Sequence, residues 1–132
     1  LYGVGFNRKS GKHSLGMRVE SLVSNPGVIT CLANDINYEN VFSKQIEIKG
    51  NENDLLIALS GSGNSPNIIN AIEVANSIGI QTIAIVGFDG GRCKKIAKKF
   101  IHCRLNDMEI AEDIQMIIFN SCKQWLINNP PF

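Results

Sequence analysis

Apolar residues recur along this chain in two alternating rhythms. Leu55 to Leu59 is an unbroken apolar run between Asp54 and Ser60-Gly61, and Gln81 to Val86 is a second, β-rich run closed by Gly87-Phe88-Asp89-Gly90-Gly91. Short uninterrupted runs of this kind predict strands buried on both faces of a sheet. Between them, Ile68, Ile69, Ile72, Ala75 and Ile78 recur at helical spacing. Ser65 is the expected N-cap of that helix, Pro66 its first residue and Gly79 its left-handed terminator.

The flanking stretches extend the pattern. Met17, Val19, Ser21 and Val23 alternate with Arg18, Glu20 and Leu22, which predicts a strand over 17–23. Ser24-Asn25-Pro26-Gly27 reads as a turn, Val28 to Asp35 as a short helix ending near Asn34-Asp35, and Tyr38 to Lys49 as an amphipathic helix whose stretch Gln45–Ile48 would also suit a strand. Arg92 to Lys99 reads as helix, Phe100 to Leu105 as strand, and Asn106 or Asp107 as the cap of a long helix through Ile127. Leu1 to Phe6 is short, apolar and Gly-interrupted, Asn7 to Ser14 reads as loop, and Asn128 to Phe132 as disordered or extended chain. Strands alternating with helices predict an α/β fold: a parallel sheet between two helical layers, with ligands at the carboxyl ends of its strands. The terminal helix carries Ile110, Ile114, Ile117, Ile118, Cys122, Trp125 and Leu126. That is enough apolar surface either to close the core or to meet a second subunit.

Both Gly-rich turns fall at carboxyl ends of predicted strands. The first, Ser60-Gly61-Ser62-Gly63-Asn64-Ser65, brings three hydroxyls and the amides of a tight turn to a helix N-terminus, an arrangement suited to an anion. It has no Walker lysine, and Gly61 and Gly63 do not form the dinucleotide GxGxxG pattern, so a sugar phosphate or other small phosphate ester fits it better than a nucleotide. A loop that only turns the chain is the plainer alternative.

Composition narrows the partners. The 132 residues suffice for one domain with a core, the net charge is +1, and no apolar run approaches the ~18 residues of a membrane span. The balance makes no case for nucleic acid, and the cluster of Arg92, Lys94, Lys95, Lys98 and Lys99 reads as a solvated helix face. Cys31, Cys93, Cys103 and Cys122 lack CxxC spacing and read as reduced thiols packed as small hydrophobes, the usage of a cytoplasmic protein without a signal peptide. The start at Leu1 gives the expectation of a chain lacking an N-terminal segment.

Four blocks in order, VITCLANDINYENVFSKQIE, DLLIALSGSGNSPNIINAI, IAIVGFDGGRCKKIA and AEDIQ, resemble the sugar isomerase (SIS) domain, and within it the phosphoheptose isomerase branch. The resemblance runs from about Met17 to Trp125. It implies a single SIS domain of flavodoxin- or Rossmann-like α-β-α build, a five-stranded parallel sheet, a homodimer or homotetramer, and an aldose-ketose isomerisation of sedoheptulose 7-phosphate or a related sugar phosphate. Ser60, Ser62 and Ser65 match the family's phosphate-binding serines. Gly61 matches a position where the isomerases often have threonine, and Asn34-Asp35 matches the pair that faces the substrate. Gln115 matches a glutamine that contacts substrate and, in zinc-binding members, the metal; Glu112 stands where an acidic residue usually lies.

Two features depart from that pattern. The family's Gly-Asn-Gly-Gly-Ser turn and the following helix with its His and Glu are missing from the sequence, and Lys123 stands eight positions after Gln115, where the family carries a histidine. Enediolate chemistry needs a base and an acid, and a lysine serves only with a depressed pKa. Asp35, Gln115 and Lys123 are the catalytic candidates within the chain, His13 and His102 match no family position, and no metal or cofactor is expected. The competing readings are a non-catalytic phosphosugar-binding module and a structural oligomerisation domain with a vestigial loop.

Overall fold

The computed structural model describes residues 18–129. In chain order these form helix α1 (Pro26–Asp35), a 3₁₀ turn (Tyr38–Asn40), α2 (Ser43–Lys49), β1 (Leu55–Ser60), α3 (Pro66–Ser77), β2 (Gln81–Val86), α4 (Gly91–Ile96), β3 (Lys99–His102) and α5 (Met108–Asn128). The expectations for Leu1–Ser14 and for Pro130–Phe132 lie outside the described residues. The three strands form a parallel sheet in the order β1-β2-β3, with Ala58 opposite Ala84 and Ala84 opposite Phe100. The resemblance implied five strands; three are present among the described residues.

One sheet face is closed by α3 and α4. Ala58, Ala84 and Val86 pack there with Ile69, Ile72 and Cys93, and a second cluster of Ile46, Ala71, Ala75 and Ile80 joins α2 to the far side of α3. The opposite face is only partly covered, which corrects the expectation of strands buried on both sides. Leu55 and Ile57 of β1 remain 53% and 41% exposed, because α5 reaches the sheet only through Ala111 and Gln115 near the end of β2. Much of the rest of α5 is open, with Ile117 60% and Trp125 62% exposed.

Several boundaries moved for local reasons. No strand forms over the described part of 17–23; the Leu22 carbonyl is taken by the Gln45 amide at 3.0 Å instead of a ladder partner, and Val19 and Val23 face solvent. The expected turn at Ser24–Gly27 is a helix start, with Asn25 accepting from the Val28 N–H at 3.2 Å and Pro26 in the first turn. Tyr38–Lys49 is split by a 3₁₀ turn capped by Asn37, leaving Ile48 outside. α4 stops at Ile96 because the Lys98 N–H turns to Thr82 Oγ1 at 2.9 Å and the Lys98 ammonium caps the carbonyls of Gly79 and Ile80. β3 accordingly begins at Lys99 and ends at His102, before Leu105.

The basic cluster is largely solvated, with Arg92, Lys95, Lys98 and Lys99 exposed, but its members are engaged differently. Arg92 pairs with Glu73, Lys98 caps carbonyls, and Lys94 is half-buried with its ammonium 5.3 Å from the Phe100 ring centroid. The cysteines divide likewise. All four are free, but only Cys93 is buried; Cys31 and Cys122 are exposed.

Candidate functional site

The serine loop leaves the carboxyl end of β1 and enters α3. Gly63 takes a left-handed φ of +71°, which lets the loop fold back so that the Gly63 N–H donates to Ser60 Oγ at 3.0 Å. The Asn64 N–H donates to Ser62 Oγ at 3.2 Å. Each hydroxyl accepts with a lone pair and keeps its proton available to a ligand oxygen. Ser65 stands at the N-cap position, as its sequence context predicted, but its side chain makes no capping bond; its Oγ lies 3.5 Å from Ser60 Oγ instead. Two hydroxyls therefore stand together at the positive end of a twelve-residue helix.

The second Gly-rich turn, 87–91, buttresses the first, a role its composition alone did not reveal. The Gly87 N–H donates to the Gly61 carbonyl at 2.8 Å, the Cys93 N–H to the Gly63 carbonyl at 2.8 Å, and the Arg92 N–H to Asn64 Oδ1 at 3.0 Å. A Cβ on Gly63 would collide with the Gly90 carbonyl, so glycine is the residue that lets the two turns touch. Met108, another residue that sequence reasoning passed over, packs its thioether on Gly61 in the space a side chain there would take. Its neighbour Asp107 caps α5 by accepting from the Ile110 N–H at 3.0 Å.

The remaining candidates are less closely joined. Gln115 is buried beneath β2, and its amide donates to the Ile85 carbonyl at 3.4 Å. Lys123 is half-buried two turns further along α5, about 12 Å in helical rise from Gln115. Asn34 and Asp35 end α1 on the surface. Asn34 Nδ2 donates to Asp35 Oδ1 at 3.0 Å, and the Cys31 thiol donates to Asp35 Oδ2 at 3.4 Å. That hydrogen bond, then the charge of Asp35, then slight desolvation push the Cys31 thiol above its ordinary value. No hydrogen bond among the described residues links Asn34, Asp35, Gln115 or Lys123 to the serine loop.

Among the described residues no three His, Cys, Asp or Glu side chains come together. No described helix is long and apolar enough to cross a membrane.

Comparison with known proteins points one way. Residues 11–87 match the model of the SIS domain. The chain is 49% identical over 72 residues to a phosphoheptose isomerase of Fusobacterium nucleatum, covering 54% of this chain and 37% of the relative. It is 32% identical over 114 residues to one of Helicobacter pylori, covering 84% and 59%. Among solved structures, a phosphoheptose isomerase from Neisseria gonorrhoeae superposes with a TM-score of 0.70 at 30% identity, covering 77% of this chain and 59% of that one. A phosphoheptose isomerase from Francisella tularensis gives 0.71 at 27% identity over 77% and 56%. The chain thus spans about half the length of the relatives it matches.

Proposed function

The chain belongs to the SIS domain family, and from that premise we propose that its serine loop binds the phosphate of a phosphorylated sugar, which the whole protein isomerises between aldose and ketose forms. The carrying observation is the pair of hydroxyls, Ser60 Oγ and Ser65 Oγ 3.5 Å apart at the start of α3, with Ser65 left free of the capping bond its position invites. Three phosphate oxygens match three hydroxyl donors, Ser60, Ser62 and Ser65, and the helix N-terminus favours the dianion. The phosphoheptose isomerases among its relatives support sedoheptulose 7-phosphate or a close analogue as the sugar. Asn34, Asp35 and Gln115 are the residues of this chain proposed to read it, beside Gly61 in the loop.

A second reading keeps binding and drops catalysis. It is favoured by Lys123, at the position where the resemblance implies a histidine, and by Met108, whose thioether packs on Gly61, where the resemblance implies a frequent threonine. Free thiols at Cys31, Cys93, Cys103 and Cys122 support a cytoplasmic setting, and the open apolar positions of α5 support a homodimer or homotetramer.

Calorimetric titration with sedoheptulose 7-phosphate, with inorganic phosphate and a neutral heptose as controls, tests both readings. Affinity for the sugar phosphate well above that for phosphate supports the first, and turnover by the whole protein then separates isomerase from module. Binding of phosphate alone supports the second. Loss of nothing on Ser62→Ala would overturn the phosphate site itself.

A further inference from the structure

The half-buried imidazole of His102, at the end of β3, has no part in the reading above. Its Nε2 lies 2.9 Å from the Phe88 carbonyl oxygen, which only accepts, so Nε2 carries the proton and donates. Its Nδ1 lies 3.1 Å from the Lys94 ammonium, which only donates, so Nδ1 is the bare acceptor. Both contacts hold together only for the neutral imidazole.

One partner, Phe88, lies in the turn that supports the serine loop, and the other, Lys94, lies in α4 directly after it. Phe88 has a φ of +46° and is the one non-glycine residue with positive φ among the described residues, so its carbonyl is aimed by an uncommon backbone conformation. The Lys94 stem packs on Gly90, where an added Cβ would meet Lys94 Cδ at 2.5 Å. Gly90 in turn lays its carbonyl against Gly63. From β3, His102 grips the turn at Phe88 directly and at Gly90 through Lys94; the turn holds Gly61 through the Gly87 N–H, and α4, which follows it, holds Gly63 through the Cys93 N–H.

We propose that His102 is a positioning residue for the anion site: neutral, it clamps the 87–91 turn against the serine loop, and on protonation it expels Lys94 and loosens that loop, weakening phosphate-ester binding as the solution is acidified. This rests on the serine loop being the phosphate site. Lys94 faces the imidazole from α4; Lys95 follows it on α4, Lys99 opens β3 and Arg104 follows β3. Asp89, in the turn, accepts from the Gly91 N–H at 3.0 Å, and Glu73, on α3, pairs with Arg92. No carboxylate pairs with the imidazole among the described residues.

The test compares the full chain with His102→Gln, whose amide offers an NH2 donor and a carbonyl acceptor and does not titrate. Titrations with sedoheptulose 7-phosphate from about pH 8 to about pH 5.5 span the imidazole range. Ionisation of the ligand affects both proteins alike, so the ratio of their dissociation constants isolates His102. Wild-type affinity is expected to fall relative to the variant by at least about fivefold across that range, the scale of a modest coupling between sites. Nitrogen-15 spectra of the imidazole at pH 8 are expected to show the Nε2–H tautomer, with the resonances assigned by their loss in the variant. A constant ratio, or an Nδ1–H tautomer, overturns the proposal. If the wild type binds no phosphate ester at pH 8, the phosphate-site reading fails separately, and the Gly63 amide shift decides the clamp. Movement with pH in the wild type but not in His102→Gln supports it, and equal behaviour overturns it.

Discussion

Gly63→Ala tests whether two backbones in contact hold the proposed anion site together. Gly63 is buried at φ +71°, a conformation that costs an L-residue about 1 kcal/mol or more. The new methyl would also fall on the carbonyl group of Gly90, approaching its carbon to 2.5 Å. No flexible side chain can yield there, so the turns must part by roughly 1 Å to restore ordinary contact. That movement carries the Cys93 N–H to Gly63 carbonyl bond, now 2.8 Å, and the Arg92 N–H to Asn64 Oδ1 bond, now 3.0 Å, beyond hydrogen-bonding range. Each is worth about 1 kcal/mol net. The sum is about 3 kcal/mol, a large part of the roughly 5–15 kcal/mol that holds a domain folded.

Urea unfolding followed by far-ultraviolet circular dichroism measures the loss, and titration with a phosphate ester measures the site. Because Gly63 lies between Ser60 and Ser65, its displacement separates hydroxyls now 3.5 Å apart, and affinity should drop at least tenfold, about 1.4 kcal/mol. Gly27→Ala is the control. It lies in the first turn of α1 without positive φ, and its Cβ would meet only Asn25 Oδ1 at 3.2 Å, so stability should hold or rise by about 0.5–1 kcal/mol. A Gly63→Ala protein within about 0.5 kcal/mol of wild type, the scale of ordinary surface substitutions, and with unchanged affinity would refute the reasoning.

Ser60→Ala and Ser62→Ala should both weaken phosphate-ester binding but differ in stability. The first strands the buried Gly63 N–H at a cost of about 1–3 kcal/mol, whereas the second frees an exposed Asn64 N–H to water and should cost under about 0.5 kcal/mol by the same denaturation assay. Thr82→Val removes a hydroxyl, 1% exposed, that donates to Asn76 Oδ1 and accepts from the Lys98 N–H, both at 2.9 Å; a loss of about 2–4 kcal/mol is expected by urea unfolding. Asp35→Asn should speed alkylation of Cys31 by iodoacetamide at fixed pH, since the acceptor and the negative charge that hold the thiol protonated are weakened. Burial also pushes the Cys93 thiol up, against smaller opposing effects of a backbone hydrogen bond and of Arg92. The folded state then binds the proton more tightly than the unfolded state, so this contribution is fully present below the ordinary thiol value of 9.0 and is lost as pH rises through the higher folded value; unfolding titrations above pH 9.0 should show it, and Cys93→Ser should remove it.

Local chemistry was legible where one segment decides its own structure. The helix from Pro66, its glycine terminator, the strands at Leu55 and Gln81 and the Asp107 cap all follow from residues within a turn of one another. The alternation at 17–23 misled because period two marks a strand only when a ladder partner exists, and here the Gln45 side chain, 23 residues away, takes the Leu22 carbonyl. Burial on both faces was misjudged for a related reason, since an apolar run does not say how many layers are supplied to cover it.

The candidate site divides in the same way. The serine loop could be proposed as an anion cradle from sequence because its hydroxyls and glycines are contiguous. What holds it is not: Gly90 against Gly63, Met108 on Gly61 and Asn64 on the Arg92 amide join residues 27 to 47 positions apart, and none has a local signature. His102 shows the consequence most clearly. Its position between Ile101 and Cys103 in a short apolar strand suggests an edge or structural residue, yet the partners on its two nitrogens fix its tautomer and tie it to the turn under the loop. A loop readable from six consecutive residues thus depends on three distant segments for its shape. Substitutions at Gly90, Lys94 or His102 should therefore alter anion affinity without touching the ligand.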